Sequence, residues 1–283
     1  MDALRAALAR GEADALVLEL KAEDGTLAFP SSLPPAIQAK VSAEDDGAVQ
    51  LIRTLRAGGV YVVARVSCFK DARLPQQIQT VGVKHVSGVN WLDNKRERWL
   101  DPYKEDAVNY LLDVLSEIAG LGVDEILLDR VTFPTQGSLS SISYGPSANV
   151  PRYEAIEGFV KRARSTVASS GTALSMVLSA ETCLNGADET GGQRLSALAP
   201  NFDRLYISVP LSDETADRFA ELTGHLGASV PRTSWPAGLV PILPVTGRTG
   251  PEDLRAALND AGGRQGMGWL LENGKGEYPD LAE

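Results

Sequence analysis

Short apolar, β-branched runs recur along the chain at intervals wide enough to hold a helix between each pair, the pattern of a parallel α/β fold. They predict strands at Ala15 to Lys21, Val60 to Val66, Glu125 to Val131, Ala173 to Ser179, Arg204 to Val209, Val240 to Val245 and Gly268 to Leu271. Runs such as EILLD lack polar alternation, as expected of strands covered on both faces. Between them the period changes to that of a helix. From about Lys104 to Ala119, Val108, Leu111, Leu112, Leu115 and Ile118 share one face, and Gly120 and Gly122 end the segment. From about Arg152 to Ala168 the stripe is Ile156, Phe159, Val160, Ala163 and Val167, with Pro151 suited to the first turn. Thr249 and Glu252 have capping-box spacing ahead of Leu254, Ala257 and Leu258, and Gly262 and Gly263 close that helix. Weaker helical patterns cover Asp2 to Ala9, Ala48 to Arg56 and Asp213 to Leu226.

The resulting expectation is one (β/α)8 TIM-type barrel domain over residues 1–283, complete or lacking its first strand. Two stretches, about 70–101 and 134–151, exceed ordinary βα connections. Both follow strands, so both should rise from the carboxyl-end face, where barrels keep their sites.

Parallel strands would bring Glu19, Lys21, Arg65, Asp129, Arg130, Glu181, Ser208, Thr246 and Glu272 to one rim. Arg65 inside VVARVSCF needs a buried carboxylate partner or a place at the mouth. Two carboxylates on one rim are the minimum apparatus for glycosidic cleavage, one to protonate the leaving oxygen and one to attack or to activate water. Asp129 and Glu181 come from adjacent strand ends. Their roles separate if Asp129 stays ionised beside Arg65 or Arg130 while Glu181, in more apolar surroundings, keeps a proton. The competing description is a structural ion pair for Asp129 and a solvated loop acid for Glu181. Trp91 and Trp99, with Asp93 between them, lie in the first long loop, where a ring can stack on a sugar or pack beneath the loop. Trp269 falls inside a strand and is expected in the core.

Composition narrows the partners. The 283 residues include 43% hydrophobic and 23% charged positions, ordinary for a globular chain. A net charge of -10 and a pI near 4.9 disfavour nucleic acid or an anionic membrane, and a neutral ligand fits better than a polyanion. Cys68 and Cys183 are too few for a disulfide framework and wrongly spaced for zinc, so both read as small buried hydrophobes. With His85 and His225 isolated, no metal or other cofactor is expected. No apolar run has the roughly 18 residues of a membrane helix, and the first residues lack a signal-peptide core. The sequence leaves the location open: extracytoplasmic if a leader has been trimmed, cytoplasmic otherwise.

Three segments, ALVLELKAEDG at 15–25, VYVVARVSCFKD at 60–71 and WLDPYKEDAVNYLLDVLSEIAGLGVDEILLDRVTFP at 99–134, carry a likeness that continues more weakly from LAPNFDRLYISVP to GWLLENG. In order and spacing the chain resembles a bacterial glycoside-hydrolase-like family, a domain of formerly unknown function with a (β/α) barrel and an amylase-like layout. The resemblance matches Glu19 and Lys21 to the family's acid and lysine, Arg65 to its strand arginine, and Asp101, Pro102 and Tyr103 to its Asp-Pro-Tyr lead into the long helix. It implies Asp129 where a nucleophile would stand and Glu181 as the acid on the following strand. The family's DYVRFP is DRVTFP here, with Arg130 for tyrosine and Thr132 for arginine, and its SPMVYPSHY-like segment is SVPLSDETA. The family pattern also opens with a strand, where this chain opens with a helical stretch. The leading expectation is a hydrolase of a bacterial poly- or oligosaccharide working through Asp129 and Glu181. Glu19, Lys21, Arg65, Trp91, Asp93, Trp99, Arg130 and Glu272 are its expected substrate-binding residues. A degenerate barrel that binds glycan without cleaving it is the alternative. A lower one reads VTGRTG at 245–250 as a phosphate cradle for a phosphorylated small molecule.

Overall fold

The computed structural model describes residues 8–11, 13–209, 221, 224, 238–245 and 268–273. Seven strands form one sheet: β1 (Ala15–Lys21), β2 (Tyr61–Ser67), β3 (Glu125–Asp129), β4 (Ala173–Leu178), β5 (Arg204–Ser208), β6 (Gly238–Pro244) and β7 (Leu270–Glu272). They lie in chain order and every pairing is parallel. All seven expected strands are present, each within two residues of its expected start. Trp269 falls just outside: β7 begins at Leu270, and the indole is half-buried ahead of it rather than in the core. The expected helix at 249–263, most of those at 213–226 and 2–9, and the loop after Val245 lie outside the described residues, as does His225.

The sheet is rolled. Neighbouring strands are about 4.8 Å apart, so β2 and β7, five places removed, would be about 24 Å apart in a flat sheet. Arg65 of β2 nevertheless contacts the carboxylate of Glu272 in β7. Arg204 of β5 likewise lies 3.1 Å from the hydroxyl of Tyr61 in β2. Contacts between non-adjacent strands require inward-facing residues around a common axis, the (β/α)-barrel arrangement.

Period-two alternation divides the strand residues into two sets. Leu20, Val62, Ala64, Val66, Ile126, Leu128, Leu174 and Met176 face outward into the large core shared with the helices. Val63, Leu127, Tyr206, Val240 and Ile242 form a separate, small apolar cluster within the barrel. Beneath that belt the floor is polar. Glu125, fully buried, accepts hydrogen bonds from the hydroxyls of Tyr61 and Tyr206, both at 3.0 Å, and from Arg204 at 2.5 Å.

Outside lie α1 (Pro34–Ala39), α2 (Gly47–Ala57), α3 (Glu105–Gly120), α4 (Arg152–Val167) and the short α5 (Ala180–Asn185). The expected stripes of α3 and α4 are all buried. Glu105 and Asp106 in the first turn of α3 complement its dipole. Ser179 caps α5 by accepting the Thr182 amide.

The two long loops are stitched to each other. Lys84–His85 pairs antiparallel with Ile142–Ser143, and the buried Trp91 donates to the Ser138 carbonyl and the Ser141 hydroxyl, both at 3.1 Å. Gly137, at φ 103°, lies against that indole, and a Cβ there would meet the ring at 2.9 Å. Asp93 takes the amides of Lys95 and Glu97 on one oxygen and the Trp99 indole N–H, at 3.0 Å, on the other. The loop therefore carries its own aromatic core.

Lys21 is fully buried. A bulge puts Leu20 out of register with β2, so Glu19 stays opposite Arg65 while Lys21 turns aside. Its ammonium lies 2.9 Å from both the Ser67 carbonyl and Asp71 Oδ2, and Asp71 is equally buried. Asp71 Oδ1 accepts the amides of Arg73 and Leu74. Gly25, at φ 95°, packs against that carboxylate, where a Cβ would stand 2.2 Å from the oxygen. Asp101 is the opposite case. Its Oδ1 caps the Tyr103 amide at 3.0 Å, but its Oδ2 is buried without a hydrogen-bond partner, and burial pushes the carboxyl up to about 6.

Two stability predictions follow from these acids. Lys21→Met should lower the unfolding free energy by about 3–5 kcal/mol, because it strands a buried carboxylate. Lys21→Met with Asp71→Leu should recover part of that loss in urea titrations; equal stability of the single variant and wild type would refute the buried-pair assignment. For Asp101, a carboxyl raised when folded favours the folded state at low pH, and that contribution is lost as pH rises from the unfolded value toward about 6. Stability should therefore fall between pH 4 and 7, and Asp101→Asn should flatten that dependence.

Candidate active site

A cleft of about 470 Å³ opens at the carboxyl ends of the strands. Its polar lining comes from several strands: Glu19 from β1, Arg65 and Ser67 from β2, Asp129 from β3, Ser208 from β5 and Glu272 from β7, with Arg130 and Glu23 from the adjoining loops. Val177, Leu178 and Ile242 supply the apolar wall.

Asp129 and Arg65 form the base of the cleft. Arg65 directs Nε at 3.0 Å and Nη2 at 2.6 Å to the same oxygen, Asp129 Oδ2, and its Nη1 binds Glu272. Burial works against the guanidinium charge, but Asp129 and Glu272 outweigh it and raise the Arg65 pKa above its ordinary value. The other oxygen, Oδ1, accepts the Arg130 amide at 2.7 Å. A carboxylate offers about four lone-pair sites, and three are engaged here. The Asp129 side chain retains 11% of its exposure, toward the cleft it lines.

The rim is a second network. Arg130 has a left-handed backbone, φ 53°, and its side chain reaches Glu23 through Nε at 2.6 Å and Nη2 at 2.5 Å. Lys70 bonds the other oxygen of Glu23 and lies 2.8 Å from Glu97. Burial alone would raise the Glu23 carboxyl, but Lys70 and Arg130 hold it below the usual range. Glu19 is different. It is solvent-exposed at the cleft, and no hydrogen bond or ion pair engages its carboxylate among the described residues. Burial by the surrounding wall raises its pKa, and the charges of Glu23, Asp129 and Asp24 reinforce the rise against the pull of Arg65.

Of the expected site residues, the structure gathers Glu19, Arg65, Asp129, Arg130 and Glu272 around the cleft. It takes Lys21 into the wall with Asp71, because the bulge at Leu20 reverses which way position 21 faces. Trp91 and Trp99 are buried in the loop core and Asp93 is the hub of the 93–97 turn, so none of the three presents a surface to a sugar in the cleft. Glu181 stands on the exposed first turn of α5, where its carboxylate accepts the Asn185 amide at 2.6 Å; the lining reaches Ser179 and Ala180 and stops short of it. Sequence reading passed over Glu23, which looks like part of a solvated Glu-Asp-Gly turn. The signal was available in Lys70 and Arg130, two cations at strand ends needing an acid. No cluster of His, Cys, Asp and Glu among the described residues is arranged to hold a metal ion, and no described helix is long and apolar enough to cross a membrane.

Known proteins share the fold. A hypothetical protein from Ruminiclostridium thermocellum ATCC 27405 is 30% identical, with a TM-score of 0.55 over 61% of this chain and 86% of that one. The PgaB (BpsB) glycoside hydrolase domain from Bordetella bronchiseptica shares the fold at 14% identity, with a TM-score of 0.69 over 95% of this chain and 84% of that one. Alpha-L-fucosidase isoenzyme 2 from Paenibacillus thiaminolyticus does so at 15% identity and a TM-score of 0.65, over 99% of this chain and 44% of that one. No curated protein matched. A family model described as "Putative glycosyl hydrolase domain" matches residues 1–210, and the chain belongs to that family.

Proposed function

We propose that this barrel hydrolyses a glycosidic bond in a bacterial poly- or oligosaccharide, with Asp129 as nucleophile or electrostatic stabiliser at the base of the cleft. The observation that carries the reading is the position of Asp129: it ends a strand, faces an open cleft of ligand size, and is aligned by Arg65 and by the Arg130 amide. Glycosidic cleavage builds positive charge on the anomeric carbon, and a fixed carboxylate below that carbon stabilises it electrostatically or by direct attack. Arg65, itself part of the cleft lining, holds the carboxylate in place through two bonds to one oxygen. Membership of a glycosyl-hydrolase-like family supports the same reaction class.

A second reading, a barrel that binds glycan without cleaving it, is favoured by one specific observation. Three of the four lone-pair sites of Asp129 are already engaged, which leaves little of the carboxylate for chemistry.

The two readings separate in a screen of bacterial exopolysaccharides and cell-wall glycans for released reducing ends. Hydrolysis is expected from the wild type, and Asp129→Asn should reduce kcat on the order of a thousandfold or more while glycan binding persists; its Tm should fall, because Arg65 keeps only Glu272 as a charged partner, so rates are compared at a temperature where both proteins are folded. Glycan binding without product would establish the second reading, and an active Asp129→Asn enzyme would remove this residue from the mechanism.

A further inference from the structure

Hydrolysis by two carboxylates needs a proton donor besides Asp129, and the acid expected there, Glu181, lies outside the cleft lining with its oxygen on Asn185. We infer that Glu19 is that donor, acting with Asp129 across the cleft; the inference rests on the hydrolase reading above.

Three observations carry it. First, Glu19 and Asp129 line the same cleft from β1 and β3, the strands on either side of β2. Second, Arg65, the residue paired in register with Glu19, is already committed to Asp129 and Glu272. Among the described residues, that leaves Glu19 solvent-accessible and without a hydrogen bond or ion pair, while the other three acids of the lining are engaged: Asp129 and Glu272 by Arg65, Glu23 by Lys70 and Arg130. An acid that must lose and regain a proton in each turnover has to be free of permanent cationic partners. Third, the bulge at Leu20 fixes the direction of Glu19. It lets the chain aim Glu19 into the barrel and still bury Lys21 against Asp71 two residues later, so the position is anchored by a buried ion pair that substrate does not touch. The raised pKa agrees, since burial and the neighbouring acids favour the protonated form.

In the reaction, the Glu19 proton passes to the glycosidic oxygen as the bond from that oxygen to the anomeric carbon breaks. The bonding electron pair leaves with the oxygen, which departs as a neutral alcohol. The anomeric carbon, now electron-poor over Asp129, receives the oxygen of a water molecule, and the proton released from that water restores the Glu19 acid. The net change is addition of one water across the bond.

The test uses the sugar identified in the screen above, presented as its methyl glycoside and its 2,4-dinitrophenyl glycoside. Dinitrophenolate leaves without help from an acid and the alkoxide does not, so Glu19→Gln should lose about 10²- to 10⁴-fold in kcat/KM on the methyl glycoside. On the activated glycoside it should lose less than about tenfold. The wild-type rate should fall as pH rises through the Glu19 pKa, and this limb should disappear in Glu19→Gln. Glu181→Gln should keep both the rate and the limb. If Glu181→Gln shows the leaving-group dependence instead, with Glu19→Gln near wild type, the inference is overturned while the hydrolase reading stands. A dead Asp129→Asn enzyme with both glutamate variants active would likewise reject Glu19 alone. Carbon-13 NMR of labelled glutamate provides a readout that needs no substrate. The Glu19 carboxyl should titrate above the ordinary glutamate range and move down in Asp129→Asn; titration at or below that range would reject the assignment.

Discussion

A guanidinium inside a barrel is stable only if the walls supply opposite charge, and much of this molecule can be understood from that requirement at Arg65. Asp129 comes to it from the neighbouring strand and Glu272 from the far side of the sheet. One side chain thus records how strongly the sheet curls and fixes the base of the cleft. It also explains why the lumen is polar at this level: two acids beneath an open mouth, with no cation between them, would repel each other.

The barrel repeats the device at its other end. Glu125 is wholly enclosed, with Arg204, Tyr61 and Tyr206 converging on it. Between floor and mouth lies the apolar belt of Val63, Leu127, Val240 and Ile242. The floor network is fully bonded, a structural cluster; the mouth network leaves one acid unengaged. Similar residue types therefore form a closed network at one end and an open one at the other, and the number of bonds each acid makes distinguishes them.

The fold was legible because its signals are local and repeated. The seven apolar runs fell within two residues of the strands, and the stripes of α3 and α4 are buried position for position. Residues inside strands, Arg65 and Asp129 above all, were legible as residues of the strand mouth because a charge in an apolar strand has few places to go. Reading failed where one residue changes the parity of a strand. Up to Glu19, β1 alternates between lumen and wall as a regular strand does; the extra residue Leu20 shifts the frame, and Lys21, which simple alternation puts on the same face as Glu19, is buried in the wall. It failed again in the loop at 70–101, where Trp91 and Trp99 find partners more than five residues away, Ser138, Ser141 and Asp93, that no periodicity announces. Glu181 lies in the first turn of α5 and not on the strand end itself; the two look alike in sequence, although Ser179 marks the cap.

Arg130 holds a left-handed backbone that a residue with a Cβ adopts only at a cost of about 1 to 2 kcal/mol. In that conformation its amide supports Asp129 while its side chain leans outward to Glu23. The peptide and the side chain of one residue thus serve two levels of the cleft. The side chain at position 130 can then be exchanged at the rim without loss of the bond that supports the base, because that bond is made by the peptide and not by the side chain.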